Sequence, residues 1–75
     1  MTKAKKEGAT TQTVYVFVKS YIRQHTHPPS LREIGEGCFL STAAVTRHLD
    51  RLEHEGKLFR EPGRARGITL TNEDD

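Results

Sequence analysis

A mainly α domain of three helices closed by a small β-hairpin is predicted by three observations along the 75 residues. Apolar residues recur at helical spacing in two stretches, 14–22 and 45–52. A double proline and a serine–glutamate capping pattern stand between them. Beyond Gly56, two short segments with strand character flank Pro62-Gly-Arg-Ala-Arg66.

In chain order, residues 1–10 carry Lys3, Lys5 and Lys6 but nothing apolar enough to anchor a structure, and are expected to be a disordered basic tail. From Thr11 to His25, Val14, Phe17, Val18, Tyr21 and Ile22 fall at i, i+3, i+4, i+7 and i+8, the stripe of an amphipathic helix. Val14-Tyr-Val-Phe-Val18 taken alone is strand-like. The longer helical period decides for a first helix. His27-Pro28-Pro29 stops it, because the residue before a proline avoids the α region and neither proline has an amide to donate.

Ser30-Leu-Arg-Glu33 follows as a capping box, so a short second helix runs from about Leu31 to Glu36 with Leu31 and Ile34 inward. Gly35 and Gly37 are expected to weaken it and to allow a tight turn. Ser41 is the next N-cap, opening a third helix, Thr42 to Glu55, that buries Val45, Leu49 and Leu52. Ala43, Arg47, Asp50 and His54 then face outward, with Thr46 on one flank. Gly56 takes the C′ position, and Lys57–Glu61 pairs with Gly67–Leu70, with Leu58, Ile68 and Leu70 inward. The ordered domain is therefore 11–70, and 71–75, with Glu73, Asp74 and Asp75, is expected to be an acidic disordered tail. A helix pair joined by a short turn and followed by a hairpin is the three-helix winged helix-turn-helix arrangement.

Composition narrows the function. A chain of this length buries only about 60% of its unfolded surface, which leaves no room for a catalytic cleft of ordinary size. No Gly-rich phosphate loop and no nucleophile elbow occurs, so an enzyme is not expected. The four histidines and the single cysteine give no zinc-finger spacing, and neither a metal nor a cofactor is expected. The longest apolar run, Val14 to Val18, is far short of the roughly 20 residues of a membrane span. The lysines near the N-terminus are not backed by a signal-peptide apolar stretch, and Cys38 cannot form an internal disulfide. Both point to an intracellular place, with Cys38 as a structural thiol.

The net charge of +2 hides an asymmetry. Without the three acids at the end, 12 positive charges stand against 7 negative ones. The hairpin alone sets Lys57, Arg60, Arg64 and Arg66 against Glu61, a candidate phosphate footprint or a solvated loop. The third helix starts with small polar residues that let a backbone approach a DNA groove, and Ser41 and Thr42 can donate to phosphates or bases. Arg47 has two readings. It can bond a guanine edge in bidentate fashion, or pair with Asp50 one turn on.

These residues resemble a known family. Pro28-Pro-Ser-Leu-Arg-Glu-Ile34, Val45-Thr-Arg-His-Leu-Asp-Arg-Leu52 with Gly56, and Arg66-Gly-Ile-Thr-Leu70 are similar to the N-terminal winged helix-turn-helix domain of LexA-type SOS repressors, from about Thr11 to Leu70. The resemblance implies sequence-specific binding of double-stranded DNA by a transcription regulator, a repressor of the bacterial nucleoid within the cytoplasm, acting as a homodimer on a palindromic site. It puts helix three in the major groove through Ser41, Thr42, Ala43, Thr46 and Arg47. Phosphates would be met by the start of helix two, Ser30 and Arg32, and by the wing, Lys57, Arg64 and Arg66. Ala43, Thr46 and Arg47 stand where the best-known member has Asn and two Glu, so its operator does not carry over. The turn around Gly35–Phe39 is one residue shorter than the family's and lacks its Gly before the aromatic or aliphatic residue. The C-terminal Ser-Lys self-cleaving and dimerising domain of LexA repressors has no counterpart in these 75 residues, and self-cleavage is not expected of them. Two other readings remain open: a winged-helix module that binds a protein through an exposed apolar patch, with Tyr15, Val16 and Phe59 as candidates, and a non-specific nucleic-acid binder using the tail lysines and the wing.

Overall fold

The computed structural model describes residues 10–61, 63 and 66–71. Their elements run α1 (Thr11–His25), α2 (Leu31–Cys38), α3 (Thr42–His54), β1 (Leu58–Arg60) and β2 (Ile68–Leu70). The strands form an antiparallel pair in the register Leu58↔Leu70, Phe59↔Thr69 and Arg60↔Ile68. This is the winged helix-turn-helix that the sequence predicts. No helix among the described residues is long and apolar enough to cross a membrane.

The expected tails at 1–10 and 71–75 lie outside the described residues except at Thr10 and Thr71, and both of these belong to the folded unit. Thr10 is the N-cap of α1, its hydroxyl accepting from the Thr13 amide at 3.3 Å. The Thr71 amide donates to the Lys57 carbonyl at 3.2 Å, and its hydroxyl donates to the Gly56 carbonyl. Thr71 thereby ties the end of β2 to the turn before β1.

The strand-like run Val14–Val18 is helical, because the stripe on that side of α1 finds a core to enter. Val14 and Val18 are fully buried, and they meet Ile34 and Cys38 of α2, Val45, Leu49 and Leu52 of α3, and Leu58 and Ile68 of the hairpin. Phe17, Ile22, Leu31, Leu40 and Leu70 close the edges of that core. Tyr15 corrects its expected exposure. It is buried, with the Lys19 and Lys57 ammonium groups 5.2 and 5.4 Å from its ring centre.

Helix α2 begins with the predicted capping box. The Ser30 hydroxyl accepts from the Glu33 amide at 3.2 Å, and the Glu33 carboxylate accepts from the Ser30 amide at 2.9 Å. Its end departs from expectation, for α2 runs two residues past Glu36 to Cys38 and holds Gly35 and Gly37 inside it. These glycines are there for space. A Cβ on Gly35 would stand 2.7 Å from the Leu40 carbonyl oxygen, and one on Gly37 would stand 2.4 Å from the Phe17 ring. The turn to α3 is consequently only Phe39, Leu40 and Ser41. Phe39 caps α2 in the left-handed conformation at φ 60°, where its own amide and that of Leu40 both reach the Gly35 carbonyl. Helix α3 ends at His54, one residue before the expected Glu55, and Gly56 follows at φ 79° as the sequence indicates.

Candidate nucleic-acid interface

Three consecutive exposed residues, Ser41, Thr42 and Ala43, open α3. The Ser41 hydroxyl accepts from the Ala44 amide at 3.1 Å as an N-cap, which leaves its own proton to donate elsewhere. Thr46 is half-buried on the flank and Arg47 is exposed on the next turn. The helix start therefore presents small side chains, a positive dipole end and one long cation together.

The two readings of Arg47 are separated by Arg60. From β1, Arg60 donates to Glu53 through Nε at 3.1 Å and Nη2 at 3.0 Å, and also to Asp50. Asp50 is thereby occupied by the wing strand, and Arg47 has no side-chain partner among the described residues. Partial burial works against the Arg60 charge, but the two carboxylates outweigh it and its pKa is raised. One flank of α3 is thus acidic and partly offset from β1. The other carries Arg47 and, one turn on, Arg51, which is exposed and likewise without a partner among the described residues.

The wing cations are less free than their sequence suggests. Arg66 crosses to α2, donating to Glu33 through Nη1 at 2.7 Å and Nη2 at 2.9 Å, and to the Pro28 carbonyl at 3.0 Å. Tyr21 donates its hydroxyl to the same carboxylate at 3.1 Å. Arg66 first, then the Ser30 amide, hold Glu33 down at a pKa of about 2 against the ordinary 4.5, and Arg66 itself is raised. Lys57 lies 3.8 Å from Glu55 and over Tyr15. Arg32 pairs with Glu36 at 3.4 Å, with side-chain exposures of 84% and 68%, a contact that solvent screens almost completely. Arg64 lies outside the described residues.

Other sequence expectations find their places. Cys38 is buried in the core, and that burial pushes its thiol pKa up, which makes it a poor nucleophile. No cluster of three metal-ligating side chains occurs among the described residues. Of the apolar candidates for a protein contact, Val16 and Phe59 are exposed and Tyr15 is not. Phe39, at the helix-turn-helix turn, is a further exposed apolar residue, at 86%. The sequence reading also passed over Arg51, although it is four residues after Arg47 and so on the same side of the helix. What spacing could not reveal is the reach of His48 from α3 to α1, where its ring Nδ1 lies 2.7 Å from the Thr11 hydroxyl.

Comparison with known proteins agrees with this architecture. Residues 6–67 match the family described as LexA DNA binding domain. The chain is 41% identical over 63 residues to LexA repressor 2 of Geobacter sulfurreducens, covering 83% of this chain and 31% of that protein. It is 42% identical over 65 residues to a LexA repressor of Listeria monocytogenes, covering 85% and 32%. With a LexA repressor of Exiguobacterium it shares 41% over 71 residues, covering 93% and 34%. The chain thus spans about a third of the length of the curated relatives it matches.

Proposed function

The chain belongs to the LexA DNA-binding domain family, and from that premise we propose that it is a sequence-specific reader of double-stranded DNA within a bacterial transcription repressor. Helix α3 lies in the major groove, with Ser41, Thr42, Ala43 and Thr46 allowing close approach and Arg47 reaching a base edge. Ser30 and Arg32 at the start of α2, with Lys57, Arg64 and Arg66 of the wing, meet phosphates. Two copies occupy the halves of a palindromic site in the nucleoid of the cytoplasm.

One observation carries this reading. Arg47 sits exposed and unpaired among the described residues, beside the small residues that start α3, while the neighbouring acid Asp50 is bound by Arg60. A guanidinium with its donors unspent is what bidentate recognition of a guanine edge requires. A charge fully paired within the protein would supply far less.

Selection of bound duplexes from a random pool tests the reading. A recurring sequence, recovered as a half-site and its inverted copy, is the expected result. Salt-sensitive binding without enrichment would leave a non-specific nucleic-acid binder. Absence of duplex binding would favour the second reading, a protein-interaction module, for which the exposure of Phe39 and Phe59 speaks.

A further inference from the structure

Thr11 at the start of α1 and Arg47, His48 and Arg51 on α3 line an open cleft of about 220 Å³. Its two arginines stand one helical turn apart, an arrangement of like charges that disfavours a helix. Of the other described arginines, Arg32, Arg60 and Arg66 are matched to carboxylates, while Arg23 lies on α1 without one among the described residues. No acid lines this cleft. His48 turns Nδ1 toward the Thr11 hydroxyl at 2.7 Å, a bond that joins α1 to α3 and fixes the ring in the cleft wall.

We propose that this cleft is a phosphate site, in which Arg51 supplies the principal charge, His48 and Thr11 form the back wall, and Arg47 stands at the rim between the phosphate and the base edges. The ligand chemistry is a phosphoryl oxygen, and the source favoured by position is a backbone phosphodiester of the duplex that α3 reads. Arg47 belongs both to the outward face of α3 and to the cleft, so a strand whose bases meet that face runs past the cleft. The Arg51 guanidinium suits a phosphodiester, since it presents a planar fork of donors to adjacent oxygens. The inference rests on the DNA-reading function proposed above and assigns to it a second contact line, along α1 and α3 and apart from the wing.

The test measures binding of the full chain to its selected duplex and to random duplex across a salt series. Arg51→Ala should weaken both by the same factor and lower the slope of log affinity against log salt by about 0.9 per bound copy, the signature of one lost phosphate each. Replacing the backbone phosphates by neutral methylphosphonates at one equivalent position in both half-sites at a time should reveal one position at which Arg51→Ala costs nothing further. Unchanged affinity and slope in Arg51→Ala, with Arg47→Ala still harmful, would overturn the site and leave the function standing. If the unaltered chain bound no duplex, the function would fall. The cleft would then be read by titrating the chain with inorganic phosphate: shifts of the Arg51 and His48 NMR signals that vanish in Arg51→Ala would mark a free-anion site, and no shifts would overturn it.

Discussion

Arg66 in the wing and Glu33 in the first turn of α2 are joined by two hydrogen bonds of 2.7 and 2.9 Å, across 33 residues of chain. Glu33 also accepts from the Ser30 amide that it caps and from Tyr21, so one carboxylate ties α1, the α2 N-terminus and the wing together. The wing is therefore tied to the domain by the same carboxylate that completes the capping box of the second helix.

Acid should loosen this junction. The folded Glu33 carboxyl ionises at about 2 rather than 4.5, so the folded state binds its proton less readily than the unfolded state does. Its contribution is complete above the ordinary value, fades as pH falls below 4.5, and is gone once pH passes below about 2. Thermal unfolding followed by circular dichroism should show the midpoint of the native chain dropping across that window. Glu33→Gln should start lower at neutral pH and change less on acidification. Parallel curves for the two proteins would mean that the junction adds no pH-dependent stability.

Phe39 should be better as glycine. A non-glycine residue in the left-handed region is strained by roughly 1–2 kcal/mol, and Phe39 sits there at φ 60° with 86% of its surface exposed. Glycine removes the strain and gives back about 0.5–1 kcal/mol through the freer unfolded chain. Little packing is lost at such exposure. The net expectation for Phe39→Gly is a gain of about 0.5–1 kcal/mol in urea unfolding. A loss of stability would show that the ring is held by contacts that outweigh its backbone.

Gly35 should resist the opposite change. Alanine favours a helix by about 1 kcal/mol over glycine, but its Cβ would lie 2.7 Å from the Leu40 carbonyl oxygen, a backbone atom that cannot swing aside. Overpacking of this kind costs about 1–3 kcal/mol, so Gly35→Ala should be destabilising on balance. Gly37→Ala meets the half-buried Phe17 ring instead, and a side chain can rotate. Its cost should be the smaller of the two. Equal costs from chemical unfolding would remove the distinction between a rigid and a yielding neighbour.

Local patterns made most of the fold legible in the sequence. The Ser30–Glu33 box, the stripe Val45, Leu49 and Leu52, and the Gly56 stop each depend on residues within one or two turns, and spacing alone reveals them. Relationships between elements were hidden. Gly35 reads as a helix breaker, yet its role is to clear the Leu40 carbonyl, which only the α2–α3 turn brings near. The wing reads as four free cations, yet Arg60 returns to Asp50 and Glu53 and Arg66 returns to Glu33. Arg51 lies on a face the sequence defines. What makes it notable, the wall of Thr11 and His48 bound across α1 and α3, depends on how the helices cross.

Under the proposed function, charge pairing should divide the work of binding between Arg47 and the wing. Arg66 enters the interface already balanced by Glu33, so its removal should alter the salt dependence of duplex binding by less than the full 0.9 of a free phosphate contact. Arg47 brings donors with no competing acceptor among the described residues, and it stands on the same helix as the small side chains Ala43 and Thr46. Arg47→Ala should accordingly lose about 1–3 kcal/mol on the selected duplex and much less on random duplex, relaxing the preference at one or two base pairs. Competition binding with a panel of single-base variants reads that difference directly. An equal loss on every duplex would make Arg47 a second phosphate ligand beside Arg51, and no loss would exclude it from the interface.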